Sequence, residues 1–253
     1  MKSLPSVDAH AHIRHDLERR DVATLDGMIF AATRSLEEAT FAVQRDDERV
    51  VWGVGAHPGL AGAQRGFTPE RFEELLQRTP LVSEVGLDGS SRVSSSLQHE
   101  TFRSVLSVVA DLPRIVSVHS YGATDQVLDV LEEYRIPGVV LHWWLGDLES
   151  TKRAIDLGCW FSVNSSARSL AIVKELPKDR ILPETDHPYG DRKGRANARP
   201  GNVRDVEERI AREEGGTLTP VRLRMWRNLF ALAEATETVD MFPRFAQRQF
   251  AAL

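Results

Sequence analysis

Val7-Asp8-Ala9-His10-Ala11-His12 puts an aspartate and two histidines on alternate residues near the start of the chain. Successive side chains of a β-strand point to opposite faces. The spacing therefore predicts that Asp8, His10 and His12 share one face, with small alanines between them. Two imidazoles so placed can grip one metal ion. A surface strand can carry such a pair by chance, so the remainder of the chain has to decide.

Working outward, short apolar, β-branched runs recur at 6–13, 28–32, 50–55, 81–85, 115–119, 138–142, 159–163 and 181–185. Amphipathic stretches at 35–44, 69–77, 97–110, 124–134 and 148–157 separate several of them, and some open with helix-cap chemistry such as Thr68-Pro69-Glu70. Strands alternating with helices predict parallel βα units. Eight strands in 253 residues predict an α/β fold, a (β/α)8 TIM barrel, as one domain over residues 1–253. Helical patterns at 202–211 and 219–235, and a weaker one at 241–253, predict extra C-terminal helices. A doubly wound open sheet would place a glycine-rich phosphate turn after its first strand, and that place holds the His-Ala-His run instead.

Composition narrows the function. Hydrophobic residues make up 42% and charged residues 27%, which suits a soluble globular protein with a sizeable core. The net charge of -5 speaks against a uniformly basic nucleic-acid coat, although a local patch can exist on an acidic average. Cys159 is the single cysteine and excludes an intramolecular disulfide. No apolar run has the length of a signal peptide or a membrane span, so a cytoplasmic protein with no membrane partner is expected.

In a (β/α)8 barrel the active site lies at the C-terminal ends of the strands. Those ends carry His10 and His12, His57, Glu84 and Asp88, His119, His142, and the run Glu184-Thr185-Asp186-His187, so six of the eight histidines fall there. Buried polar groups need partners. Several imidazoles and carboxylates meeting at one mouth would find them in divalent cations, and mixed nitrogen and oxygen donors suit zinc, manganese, nickel or iron, or magnesium with more oxygen and water.

The ordered motifs Asp8-Ala9-His10-Ala11-His12, Gly55-Ala56-His57-Pro58, Glu84-Val85-Gly86-Leu87-Asp88, His119-Ser120, His142 and Glu184-Thr185-Asp186-His187-Pro188-Tyr189 resemble those of TatD-type metal-dependent deoxyribonucleases, over nearly the whole chain and including Asn228. The resemblance implies a TIM barrel of the amidohydrolase superfamily with divalent metals and DNase activity. By position it implies that His10, His12 and Asp186 hold one metal, that His119 and His142 hold a second, and that Glu84 bridges them. The metals would be two divalent ions of the Mg2+, Mn2+ or Zn2+ kind. Every lysine lies outside the strands, which favours Glu84 over a modified lysine as the bridge. Asp186 would orient the attacking water or take its proton. His57 would polarise a phosphate oxygen or protonate a leaving group, or else serve as a hydrogen-bond partner of a ligand. Asp8 and Glu184 are read as orienting groups, and His187 as facing away.

Arginines after the strands, among them Arg14, Arg19, Arg20, Arg65, Arg92, Arg192, Arg195 and Arg199 with Lys193, predict a basic rim for a phosphate-bearing substrate. Of these, Arg192, Arg195 and Arg199 are taken as substrate-binding, together with Trp143, which could stack on a base. Alternation allows only one of Trp143 and Trp144 to face the mouth. The sequence departs from the family at Tyr121, at Gly89 and at Trp143, all on the substrate side. The expected activity is hydrolysis of phosphodiester bonds in single-stranded DNA or DNA ends. The competing readings are an ester or amide hydrolase, such as a deacylase of aminoacyl-tRNA, and a DNA-binding subunit of a defence complex. TatD-like nucleases occur in bacterial defence gene clusters, which makes a protein complex a further candidate partner besides DNA.

Overall fold

The structure is a computed structural model that describes residues 4–190 and 199–253. Its eight strands are β1 (Val7–Ala11), β2 (Met28–Ala31), β3 (Val50–Trp52), β4 (Leu81–Gly86), β5 (Ile115–His119), β6 (Val139–Leu141), β7 (Trp160–Val163) and β8 (Ile181–Pro183). All pair in parallel, as two ladders, β1 to β3 and β4 to β8. Val54 pairs with Val82 across the first gap. At the second, the Asp186 N–H donates to the His10 carbonyl and the His12 N–H to the His187 carbonyl, each at 2.8 Å. These bonds close the sheet into a barrel with no open edge, the arrangement expected of repeated βα units.

Closure explains the composition of the strands. Val7, Phe30, Leu81, Ile115, Val140 and Leu182 point inward and meet one another, whereas Val82, Val116, Val118 and Phe161 point outward beneath the helices. Strands covered on both faces read as unbroken apolar runs. Each fully buried Leu, Val or Phe in them stabilises the fold by about 1.5–3 kcal/mol.

Two C-terminal helices, Leu218–Ala235 and Arg244–Phe250, close the foot of the barrel. Trp226, Leu229, Phe245 and Phe250 pack on the inner residues of the strands. Trp226 donates its indole N–H to the Pro5 carbonyl, and the Asn228 amide donates to the carbonyls of Lys178 and Ile181, just before and at the start of β8. The foot is thus sealed, and only the C-terminal ends of the strands remain as a mouth.

Local chemistry starts the helices as the caps predict. Ser35 accepts from the Glu38 N–H to open Leu36–Ala42, and Thr68 accepts from the Arg71 N–H to open Pro69–Leu76. Three short helices, Arg19–Val22, Ala61–Arg65 and Ala167–Ile172, show no periodicity in the sequence because they span fewer than two turns.

Strict alternation along β1 fails at one step. The register against β2 shifts between Asp8 and Ala11, with Val7 and Ala9 both packed inside the barrel and Ala11 outside it. Asp8 therefore does not share the face of His10 and His12. Its carboxylate accepts from the Thr185 N–H and hydroxyl at 2.8 and 2.7 Å and from the Gly201 N–H at 2.8 Å. Asp8 ties β1 to the chain beyond β8, and the groups it orients are the backbone and hydroxyl of Thr185 and the backbone of Gly201.

Candidate metal centre

Glu84 projects from β4 into the mouth, and its two oxygens face different clusters. Oε2 lies 3.3 Å from His12 Nε2. Oε1 lies 3.3 Å from His119 Nδ1 and 3.7 Å from His142 Nε2. On the Oε2 side, Asp186 Oδ1 is 3.6 Å from His12 Nε2 and 3.9 Å from His10 Nε2. His119 Nδ1 and His142 Nε2 are 3.3 Å apart. His10, Glu84 and His119 come from β1, β4 and β5, and His12, His142 and Asp186 from the chain just past β1, β6 and β8.

Backbone details make this possible. Gly86 has φ 126°, a conformation that disfavours any side chain, and a Cβ there would lie 2.2 Å from the His119 carbonyl oxygen. A glycine at this point lets β4 run close against β5 and brings His119 beside Glu84. Asp186 sits at φ 46°, in the left-handed region, where a non-glycine residue costs about 1–3 kcal/mol that the surrounding packing must offset.

The atoms fit cations. Two donors each about 2.0–2.2 Å from one metal lie roughly 2.8–3.6 Å apart at octahedral or tetrahedral angles. Separations of 3.3 to 3.9 Å in the protein need only slight contraction. Among the described residues, His10 Nε2 and Glu84 Oε2 are buried without a hydrogen-bond partner. Leaving such atoms unpaired costs about 1–3 kcal/mol each, and a cation between them removes that cost.

Protonation follows from the same surroundings. Burial, helped by the neighbouring His142, pushes His10 well below the usual imidazole range, and burial likewise lowers His12. Both are held as neutral rings, the form that binds metals. For Glu84 burial alone would raise the pKa, but His119 and His57 outweigh it and keep the carboxyl well below its usual range. Burial would also lower His119, yet Asp88 and Glu84 prevail and raise it to about 9. Asp88 Oδ2 lies 3.3 Å from His119 Nε2, so it turns Nδ1 of that ring toward Glu84.

His57 lies 3.1 Å from Glu84 Oε1 through Nε2. Its other nitrogen, Nδ1, accepts the Gly59 N–H at 2.8 Å. An Nδ1 that accepts leaves the proton on Nε2, so His57 presents an N–H to the mouth and not a lone pair. His57, Glu84 and His119 are close enough to surround a cation, but this tautomer makes His57 a hydrogen-bond donor to the centre.

Glu184, buried at the end of β8, accepts the Ser162 hydroxyl and lies 3.8 Å from His142 Nδ1. A cavity of about 660 Å³ opens from Glu84, His119 and His142 toward Trp143, Tyr121 and Arg168. Trp143 adopts φ 43° and donates its indole N–H to Ser166 at 3.3 Å. Trp144 is fully buried and donates to Thr151. Trp143 is the one of the pair that faces the mouth, through a left-handed turn beyond β6, where strand alternation was the stated basis.

The arginine rim differs from the expectation. Arg192, Lys193 and Arg195 lie outside the described residues. Arg199 does not reach the site: it is ion-paired with Asp26, which precedes β2 at the foot of the barrel, and the Gly201 N–H two residues on donates to Asp8 in β1. Arg14 pairs with Asp16. Two arginines that the sequence reading passed over line the mouth, Arg34 after β2 and Arg168 after β7. Their position directly after strands was the available signal. Neither strand carries a histidine, which is why their ends attracted no notice.

Comparison with known proteins places these observations. A model of the family described as TatD-related DNase matches residues 7–233. The chain is 27% identical over 190 residues to the 3'-5' ssDNA/RNA exonuclease TatD of Klebsiella pneumoniae, covering 69% of this chain and 72% of that protein. It is 30% identical over 178 residues to the uncharacterized metal-dependent hydrolase YcfH of Escherichia coli, covering 65% and 66%. Among solved structures, the TatD homologue YJJV of Escherichia coli superposes with a TM-score of 0.76 at 19% identity, over 90% of this chain and 97% of the other. A TatD family hydrolase from Entamoeba histolytica gives 0.71 at 15% identity, over 92% and 99%.

Proposed function

The chain belongs to the TatD-related DNase family, and we propose that it is a divalent-metal-dependent nuclease that hydrolyses phosphodiester bonds of single-stranded DNA or DNA ends. The observation that carries this reading is the division of Glu84 between two imidazole clusters, Oε2 toward His12 and Oε1 toward His119 and His142. In it His10, His12 and Asp186 would hold one cation and His119 and His142 a second, with Glu84 shared between the two groups. Divalent ions of the Mg2+, Mn2+ or Zn2+ kind, when bound, would lower the pKa of water and offset negative charge at phosphorus.

The protein's own groups do the rest. Asp186 orients the attacking water or accepts its proton. His57 holds its Nε2 proton against Glu84 Oε1 and would share it with a phosphate oxygen of the substrate. Trp143 offers a flat face to a base, and Arg168, exposed beside it and without an acidic partner among the described residues, meets the strand's phosphates. The foot is sealed, so substrate enters and leaves by the mouth alone, which favours strand ends and single strands over an intact duplex. A cytoplasmic location accords with such a substrate and with the lone buried cysteine, and among the described residues no helix is long and apolar enough to cross a membrane.

The test is to load purified protein with manganese, magnesium or zinc and offer single-stranded DNA, duplex DNA and a small carboxylic ester. Metal-dependent shortening of the single strand is expected, abolished by chelator and by Asp186→Asn. Turnover of the ester with intact DNA would transfer the site to carbonyl hydrolysis. Binding of DNA with no cleavage under any metal would make the chain a DNA-binding subunit.

A further inference from the structure

Tyr189 borders two cavities. One is the 660 Å³ space that reaches Glu84, His119, His142 and Asp186. The other, about 510 Å³, lies on the far side of the ring and reaches His12, Arg14 and Arg34. The metal centre is therefore approached from both sides of one side chain, and each space falls in the size range that takes a small-molecule group.

The ring is held at both ends. It packs perpendicular to the His12 ring, with centroids 5.0 Å apart and planes at 84°. Its hydroxyl accepts from the Arg34 guanidinium at 2.9 Å. Arg34 is in turn fixed by Glu38, which accepts from the guanidinium at 3.1 Å and from the Arg34 backbone N–H at 2.8 Å. Glu38 stands in the first turn of Leu36–Ala42 under the Ser35 cap. Yet Tyr189 is 57% exposed. An aromatic ring pinned in place but left open to solvent has already lost the entropy that binding would otherwise cost.

The two spaces differ in chemistry. Trp143 and Tyr121 line the larger, with faces suited to a base. Arg34 lines the smaller together with Arg14, which is paired with Asp16; Arg34 gives one N–H to Glu38 and one to Tyr189 and keeps further guanidinium donors suited to a phosphate. Resting on the nuclease reading above, we infer that Tyr189, braced by Arg34 and Glu38, is a post that separates two nucleotide subsites, so that the smallest high-affinity ligand is a dinucleotide with its internal phosphate at the metal centre. The terminal nucleoside occupies the aromatic chamber, and the next nucleotide and its phosphate occupy the chamber of Arg34. Arg34 acts there as a specificity-determining residue: it contacts the second nucleotide and keeps Tyr189 upright.

The experiment compares binding of dTMP and of the dinucleotide pTpT, its internal linkage made a slowly hydrolysed phosphorothioate, by calorimetry on the metal-loaded protein with all six donors intact. The dinucleotide is expected to bind at least about tenfold tighter, the scale of one added charge-assisted hydrogen bond. Arg34→Gln should erase that advantage while dTMP affinity stays within about twofold, whereas Tyr189→Ala, at a ring that borders both spaces, should weaken both ligands and still lose the dinucleotide advantage. Tyr189 is 57% exposed, and thermal melting checks that both variants keep the fold. Equal affinities for dTMP and pTpT in the starting protein, or a parallel loss for both ligands in Arg34→Gln, overturn the two-subsite inference and leave the nuclease reading standing. Failure to bind either nucleotide overturns both.

Discussion

The Ser117 hydroxyl in β5 lies 2.9 Å from Nδ1 of His10 in β1, although the two strands stand on opposite sides of the barrel. The bond crosses the interior just below the mouth. It orients the His10 ring so that Nε2 points at Asp186 and the centre. Partners of this kind fix the tautomer of a metal-binding histidine, and losing one typically weakens metal affinity by about 10–100-fold. Ser117→Ala should therefore bind manganese about 10–100-fold more weakly in a calorimetric titration. Unchanged affinity would show that His10 needs no such support.

Glu84→Gln keeps the shape of the bridge and removes its charge. One neutral amide cannot serve two cations, so metal content measured by mass spectrometry should fall below that of the parent. Nuclease rate should drop by at least about 10²–10³-fold, the usual loss when a group that stabilises transition-state charge is removed. Parent-like metal content with parent-like rate would dismiss Glu84 as the bridge.

Metal should stabilise the fold, because the six donors meet only in the folded barrel. At a concentration about 100 times Kd the gain is about 2.7 kcal/mol, which for a chain of this length corresponds to roughly 5–11 °C in Tm. Differential scanning fluorimetry with manganese, then with excess chelator, reads this directly. A melting curve indifferent to both additions speaks against a preformed site.

Trp143→Ala removes the aromatic face beside His142. Single-strand binding should weaken by about 1–3 kcal/mol for one lost stacking contact, and metal content should be unaffected. The comparison of oligonucleotide affinity with metal stoichiometry separates a substrate role from a structural one.

Cys159 is buried, and burial pushes its thiol up to about 12. At pH 8 the reactive thiolate is therefore a minute fraction, and it becomes accessible only on unfolding. A thiol reagent should leave the native protein unlabelled over hours and label one site in denaturant. Fast native labelling would contradict the packing around β7.

The order of strands and helices was legible in the sequence because the relevant signals are short. Period-two and period-3.6 patterns, caps and strand-end histidines are each encoded within a few residues, and the helix at Thr124–Tyr134 agrees with its predicted bounds at both ends. The donors His10, His12, Glu84, His119, His142 and Asp186 stood out for the same reason, since each ends a readable apolar run. The resemblance of their motifs to one family supplied the pairing that spacing alone left open.

Sequence alone determined the barrel architecture and the residues available at its mouth, because both depend on local chemistry repeated along the chain. Only the tertiary structure decided that Glu84 turns one oxygen to each cluster, that His57 carries its proton on Nε2, that Asp8 leaves the face of His10, and that Arg199 sits at the foot while Arg34 and Arg168 reach the mouth. The His57 proton follows from the Gly59 N–H two residues on, but the other outcomes depend on distances between atoms many residues or several strands apart. Barrel closure and one register shift set such distances, and neither is written in any short stretch of residues.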